Sequence, residues 1–347
     1  MAFLTPLEDI KHRIRARIPL DIQDRLSFSY RARKIRARAK GDPDMLSIET
    51  GNDRRTENGS WFRGESINFM PSRTNLFEKN AIHDYVLKGW LPDCPFISKD
   101  HYITAFGSCF ASYVSRFLVE RGYKVFGETE DSNSYVIRCA DSMVNTYAVM
   151  QQFQWAYGER EFDESLWFDE DGAEAGYDTN IRSTTRAIFD KTDIFIITIG
   201  LSEVWYNKQS GDVFWRAIPR SKFNPARHGF KITTVTENLQ NLETIYRVVR
   251  EKRPDAAIIL SLSPVPLLAT FRPESCVTAN SVSKAILRVA IDELCRAHPD
   301  DKRLYYYPSY EIVKEFFRDP YRGDNRHIRS HVLDTVMGNF AQYYLIA

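Results

Sequence analysis

Residues 193–200 read DIFIITIG, an aspartate, six consecutive apolar or β-branched residues and a closing glycine. A run this apolar, with no polar alternation, is a strand buried on both faces. The same reading applies to residues 101–106 (HYITAF), followed by Gly107, and to residues 256–262 (AAIILSL), followed by Ser263 and Pro264. Shorter strands are expected at 123–126 (YKVF) and 304–307 (LYYY). Helical periodicity fills the intervals. After Cys109, Phe110, Val114, Phe117 and Leu118 share a face that Gly122 closes, and further helices are expected over Met143–Tyr157, Thr236–Lys252 and Ser281–Ala297. Doubly buried strands separated by helices predict an α/β fold. The expected architecture is a three-layer α/β/α sandwich around a parallel sheet of about five strands.

Composition narrows the function. The 347 residues are 43% hydrophobic and 27% charged, with 47 Lys+Arg against 46 Asp+Glu and a formal net charge of +1. That excludes wholesale disorder. A balanced charge also argues against nucleic acid as a partner. No apolar run reaches the length of a membrane-spanning helix. The opening residues, MAFLTPLEDIKHRIRAR, lack the apolar core of a secretory signal, so a cytoplasmic location is expected. The five cysteines, Cys94, Cys109, Cys139, Cys276 and Cys295, are odd in number and scattered, as suits reduced thiols.

Three segments are expected: a basic arm over 1–43, an irregular extension over 44–99, and an α/β domain over 100–347. From Lys11 to Lys40 there are eleven Lys/Arg and two acidic residues, Asp21 and Asp24. Such a segment is either a solvated arm or a peripheral contact, through residues 11–40, with the anionic inner face of a membrane. Residues 41–95 are rich in Gly, Asn, Pro, Asp and Ser, yet Trp61, Phe62, Phe69, Trp90 and Phe96 call for burial. Asn58, Gly59 and Ser60 read as a turn in preference to a glycosylation site.

In a parallel sheet, chemistry collects at the carboxyl ends of the strands. There the sequence offers Gly107-Ser108-Cys109, the stretch GLSEVW (200–205), PSYE (308–311) and DNRH (324–327). Ser108 at a strand-to-helix turn has either an exposed nucleophilic hydroxyl or a capping role. Asp324 and His327, three residues apart, can present a base and the carboxylate that orients it. Cys109 is a rival nucleophile, or a small buried hydrophobe. His327 and His331 are spaced for a metal with Asp324, but no further ligand is evident and no metal is expected. Glu203 could form a plain salt bridge with Arg216 or Arg220. Trp205, Phe214 and Trp215 could stack on sugars or fill a core. No phosphate-binding glycine motif occurs, so no nucleotide and no other cofactor is expected.

The string AFGSCFA (105–111) resembles the signature of the GSCFA family, which is similar to the SGNH/GDSL hydrolases. Further blocks extend the resemblance over roughly residues 60–340: VNTY (144–147), IGLSEVW (199–205), LSPVP (262–266), NSVSKAILR (280–288), YPSYE (307–311) and DNRH (324–327). It implies a flavodoxin-like sandwich with Ser108 as nucleophile and a catalytic Asp324/His327 pair. It also implies ester chemistry on an O-acyl substrate such as an acetylated surface polysaccharide. The sequence departs from the GDSL pattern in two places. No aspartate precedes Ser108, and Ser202, followed by Glu203, stands where an asparagine would donate to the oxyanion. A hydroxyl donates less rigidly than an amide, and Asn145 could supply the missing amide beside donors at Gly200 or Ser202. The acyl group would pass to water in an esterase or to a sugar hydroxyl in an O-acyltransferase. A non-catalytic carbohydrate- or acyl-binding protein on the same scaffold is the third reading.

Overall fold

The computed structural model describes residues 45–50, 53–58, 68–72, 75–107, 109–127, 144–168, 172–174 and 178–346, with 45–58 described by backbone alone. Ser108, the basic arm, Trp61, Phe62, Cys139 and the last two residues of the 58–60 tripeptide lie outside the described set, and so do the expectations placed on them. The chain divides into two compact units, Met1–Tyr85 and Val86–Ala347. In the first, Met45–Thr50 (β1) and Asp53–Asn58 (β2) pair as an antiparallel hairpin running from Met45 opposite Asn58 to Thr50 opposite Asp53.

The second unit carries the sheet. Its elements in order are Tyr102–Phe106 (β3), Cys109–Val119 (α1), Lys124–Val125 (β4), Thr146–Tyr157 (α2), Thr179–Lys191 (α3) and Ile194–Ile199 (β5). Then come Glu203–Asn207 (β6), His228–Ile232 (β7), Val235–Lys252 (α4), Ala257–Leu262 (β8), Cys276–Ala297 (α5), Leu304–Tyr306 (β9) and Ser330–Tyr344 (α6). Five strands form one parallel sheet in the order β4-β3-β5-β8-β9. By rank in the sequence this is 2-1-3-4-5, the flavodoxin-like order, whose switch point falls between β3 and β5. The fold is the α/β sandwich that the apolar runs predict.

Every residue of β5 and β8 is buried, so both faces of the sheet are covered. Phe195, Ile197, Ile199, Ile258, Leu260 and Leu262 point to one face, where they pack with residues of α2, α3, α4 and α5. On the other face α1 brings Ala111 up against Thr198, around Gly107. Residues 86–99 belong with this unit: Ile97 bridges to Leu345, and the Phe96 and Ile97 N–H groups donate to Tyr344 O at 3.1 and 2.9 Å.

Local chemistry sets the helix ends. The Thr234 side chain accepts from Glu237 N while Glu237 accepts from Thr234 N, a capping box that starts α4. Arg250 and Lys252 in its last turn suit the negative end of the helix dipole. Helix α5 starts at Cys276, ahead of the expected Ser281, because Ser275 caps it through Val277 N. Helix α2 is buried on two sides. Val149, Phe153 and Ala156 face the sheet, and Ala148 and Trp155 enter a second core with Phe162, Phe168, Phe214 and Trp215. Phe214 and Trp215 are therefore core residues, and the sugar-stacking reading of these two is withdrawn. Among the described residues no helix is long and apolar enough to cross a membrane, and Cys94, Cys109, Cys276 and Cys295 form no disulfide.

Candidate active site

Gly107 follows β3, and Gly200, Ser202 and Glu203 follow β5. Asn145 is bound to the end of β5 through its neighbour Val144, and the hairpin of Asp324 and His327 is tied to the loop after β8. Gly107 has φ 143°, a conformation that favours glycine. A Cβ there would stand 2.9 Å from both Ala111 Cβ and Thr198 O, so glycine is what allows the first turn of α1 to close on β5. Ser108 falls between Gly107 and Cys109 in the chain. Cys109 is the first residue of α1.

Asn145 caps α2, its Oδ1 accepting from Ala148 N at 2.8 Å. What it can still offer a ligand is its Nδ2 donor pair. The preceding carbonyl, Val144 O, accepts from Gly200 N at 2.7 Å and from Leu201 N at 3.1 Å. These two bonds tie the end of β5 to the start of α2. They also commit the Gly200 N–H, so Gly200 is corrected from oxyanion donor to framework residue.

Ser202 is held at both ends. Its N–H donates to Ser283 Oγ at 2.9 Å, and its carbonyl accepts from Thr233 N at 2.7 Å and Thr233 Oγ1 at 2.9 Å. The residue is 1% exposed, yet its Oγ has no hydrogen-bond partner among the described residues. A buried hydroxyl without a partner is costly unless something else accepts from it. Glu203 does not pair with Arg216 or Arg220. Its carboxylate accepts from Thr270 Oγ1 at 2.7 Å and Phe271 N at 3.3 Å, binding the loop after β8, while Arg216 lies over the Trp167 ring. The half-buried Trp205 packs against Phe223, Phe230 and Phe271.

Asp324 and His327 sit on a small hairpin in which Tyr321 bridges to Ile328 and Arg322 N donates to His327 O at 2.7 Å. Asn325 turns it at φ 55°, a value asparagine tolerates better than most residues. Asp324 Oδ2 is hydrogen-bonded to His327 Nδ1, and Oδ1 accepts from Arg326 N at 3.1 Å and His327 N at 3.0 Å. The imidazole bond and the two backbone N–H donors hold this carboxyl well below the usual carboxylate range. With Nδ1 on the carboxylate, Nε2 is the nitrogen left to act as a base. Both side chains are 44% exposed. His331 is on α6 and meets the Phe317 ring, and among the described residues no group of three His, Cys, Asp or Glu is placed to hold a metal.

The loop after β8 joins these parts. Pro264 O accepts from Tyr321 Oη at 2.9 Å and Pro266 O from Arg326 Nε at 3.3 Å, fastening the hairpin that carries His327. Helix α5 holds the same loop from beneath. Asn280 Oδ1 accepts from Leu267 N at 3.1 Å, and Lys284 Nζ donates to Val265 O at 2.9 Å and to Gly200 O at 3.2 Å. Lys284 is 3% exposed and burial pushes its ammonium down to about 7. Sequence reading gives Asn280, Ser283 and Lys284 no role. The available signal is their i, i+3, i+4 spacing within a helix face otherwise occupied by Ala279, Leu287 and Ile291.

The chain belongs to the GSCFA family, whose model matches residues 102–340. No curated protein matches it. Solved structures similar to it include a putative platelet activating factor from Streptococcus pneumonia, at 12% identity and a TM-score of 0.35, covering 70% of this chain and 84% of that one. A GDSL-like lipase from Bacteroides thetaiotaomicron is 9% identical with a TM-score of 0.35, over 70% of this chain and 87% of the other. A family 3 carbohydrate esterase from Talaromyces cellulolyticus is 10% identical with a TM-score of 0.34, over 69% and 94%.

Proposed function

We propose that the protein is a serine-dependent esterase that removes an acyl group from an O-acylated carbohydrate. The observation that carries this reading is the Asp324–His327 pair: a carboxylate bonded to Nδ1 of a half-exposed imidazole, in a chain where Ser108 is the residue before Cys109, the first residue of helix α1. In this mechanism His327 Nε2 removes the Ser108 proton as Oγ attacks the ester carbonyl, and Asp324 stabilises the imidazolium that forms. Ser202 Oγ–H and Asn145 Nδ2–H supply donors to the tetrahedral oxyanion. As the tetrahedral intermediate collapses, His327 protonates the departing sugar oxygen, which leaves as the free hydroxyl. Its exposure to solvent favours water as the second acceptor, which returns free acid and Ser108.

Hydrolysis of 4-nitrophenyl acetate tests the reading. The full chain should turn the ester over, and Ser108→Ala should remove several orders of magnitude of activity while circular dichroism stays unchanged. Unchanged turnover in that variant would refute Ser108 as the nucleophile. Absence of turnover in the wild type, with acetylated oligosaccharides also left intact, would make the protein a binder. Release of acetate from acetylated xylan or an acetylated bacterial polysaccharide then tests the carbohydrate part.

A further inference from the structure

Lys284 is a buried ionisable group that this mechanism leaves unused. It reaches out of α5 and ends on two carbonyls, Gly200 O and Val265 O, which belong to the loops after β5 and β8. No carboxylate bonds or ion-pairs with it among the described residues, and desolvation is the cause of its lowered pKa. Burying an ammonium without a counter-ion opposes folding. An apolar side chain of similar length would fill the space without that penalty, so packing alone does not account for a lysine here.

What the amine does is visible in its connections. Gly200 C=O and Leu201 N–H are the two ends of one peptide group. Lys284 donates to the first, and the second donates to Val144 O, the carbonyl of the peptide that leads into Asn145. A cation on one end of a hydrogen-bonded chain polarises and tightens the rest. On the same helix face Ser283 Oγ accepts the Ser202 N–H, and Asn280 holds Leu267 N. The two side chains assigned to the oxyanion, Asn145 and Ser202, are thus fixed to α5 by one continuous set of bonds. The other arm of Lys284, on Val265 O, reaches the loop that Tyr321 and Arg326 fasten to the His327 hairpin.

We infer that Lys284 is a positioning residue for the proposed esterase site, setting the oxyanion donors at Asn145 and Ser202 in place relative to the His327 hairpin through its bonds to Gly200 O and Val265 O. The inference rests on the ester-hydrolysis reading. Lys284 touches no reacting atom. Its effect is on geometry that matters in the transition state more than in substrate binding, because the donors must meet the oxyanion and not the ground-state carbonyl.

The test is steady-state hydrolysis of 4-nitrophenyl acetate by the full chain, wild type beside Lys284→Met and Lys284→Gln, with thermal unfolding of each. Lys284→Met should lose at least tenfold in kcat with KM within twofold of wild type. A general structural weakening would instead lower the unfolding temperature and leave the kcat of the folded fraction intact. Lys284→Gln, with one neutral amide donor group for two carbonyls, should give an intermediate kcat. A folded Lys284→Met with kcat within twofold of wild type overturns the inference. If the methionine variant does not fold, wild-type kcat in the glutamine variant overturns it. The ester-hydrolysis reading fails separately, through an inactive wild type or an active Ser108→Ala.

Discussion

Replacing Lys284 by methionine should change how stability depends on pH. The native state holds this amine at a pKa of about 7, against the usual lysine value of 10.5. Below pH 7 both folded and unfolded chains carry the charge, and the native state bears the full cost of burying it. That cost is about 5 kcal/mol, from about 1.4 kcal/mol for each pH unit between the two values. Between pH 7 and 10.5 the unfolded chain binds the extra proton, so stability from this group rises with pH. By pH 9 the remaining cost is about 2 kcal/mol. Methionine removes the charge but strips a donor from Gly200 O and Val265 O, at about 1–3 kcal/mol each. Near pH 6 these effects nearly cancel and the two proteins should be close in stability. At pH 9 the wild type should have gained about 2–3 kcal/mol on the variant. Urea unfolding followed by tryptophan fluorescence at pH 6, 7.5 and 9 reads this difference, since other titrating groups are common to both chains. Parallel stability curves over that range would show that Lys284 is not a desolvated amine, and the account of its cost would fall.

Asp324→Asn should keep the fold and lower kcat by about 10⁴-fold, because an amide can stabilise the wrong imidazole tautomer and cannot stabilise imidazolium; ester hydrolysis checks this. Gly107→Ala should destabilise the protein by about 2–5 kcal/mol through its positive φ and the contacts with Ala111 and Thr198, measured by urea unfolding. Thr234→Ala should cost about 1 kcal/mol by removing the cap of α4, which thermal unfolding measures. Burial opposes ionisation of Glu237 in the same box, but bonds from Lys231 and Thr234 N prevail and bring it from 4.5 down to about 2. Its contribution to stability should therefore be complete above pH 4.5 and lost as pH falls toward 2, and acid titration of wild type against Glu237→Gln reads it.

The sheet is legible in the sequence because β3, β5 and β8 are apolar on both faces, a pattern that depends on local residues alone. The β6–β7 hairpin is not. Some twenty residues separate its strands, and the Tyr206 ring lies over Gly229 where a side chain would stand, so its pairing rests on a contact distant in sequence. Helix α3 is equally hidden, because its residues, TNIRSTTRAIFDK, are poor in strong helix formers and bury only Thr185, Ile188 and Phe189. The same contrast divides the site. Asp324 and His327 are three residues apart and bond within one turn, so their pairing can be read directly. Whether Gly200 can donate depends on Val144 O, and the place of Glu203 depends on Thr270. Those partners come together only through the tertiary fold.

The sheet's pairing pattern also bears on how the chain acquires its structure. Ile103 lies beside Ile194, Ile194 beside Ala257 and Ile258 beside Leu304. Apart from the edge pair of Tyr102 with Lys124, none of these ladders can form between neighbouring stretches of chain. High contact order of this kind slows folding, because loop closure must precede the contacts that reward it. During synthesis β3 and β5 must wait, with their apolar faces uncovered, for β8 and its helices to emerge. In that interval the nascent chain is at its most exposed to aggregation and to chaperone capture. The hairpin of Asp324 and His327 is made after all five strands of the sheet, so an assay of ester hydrolysis would report a completed sheet as well as chemistry.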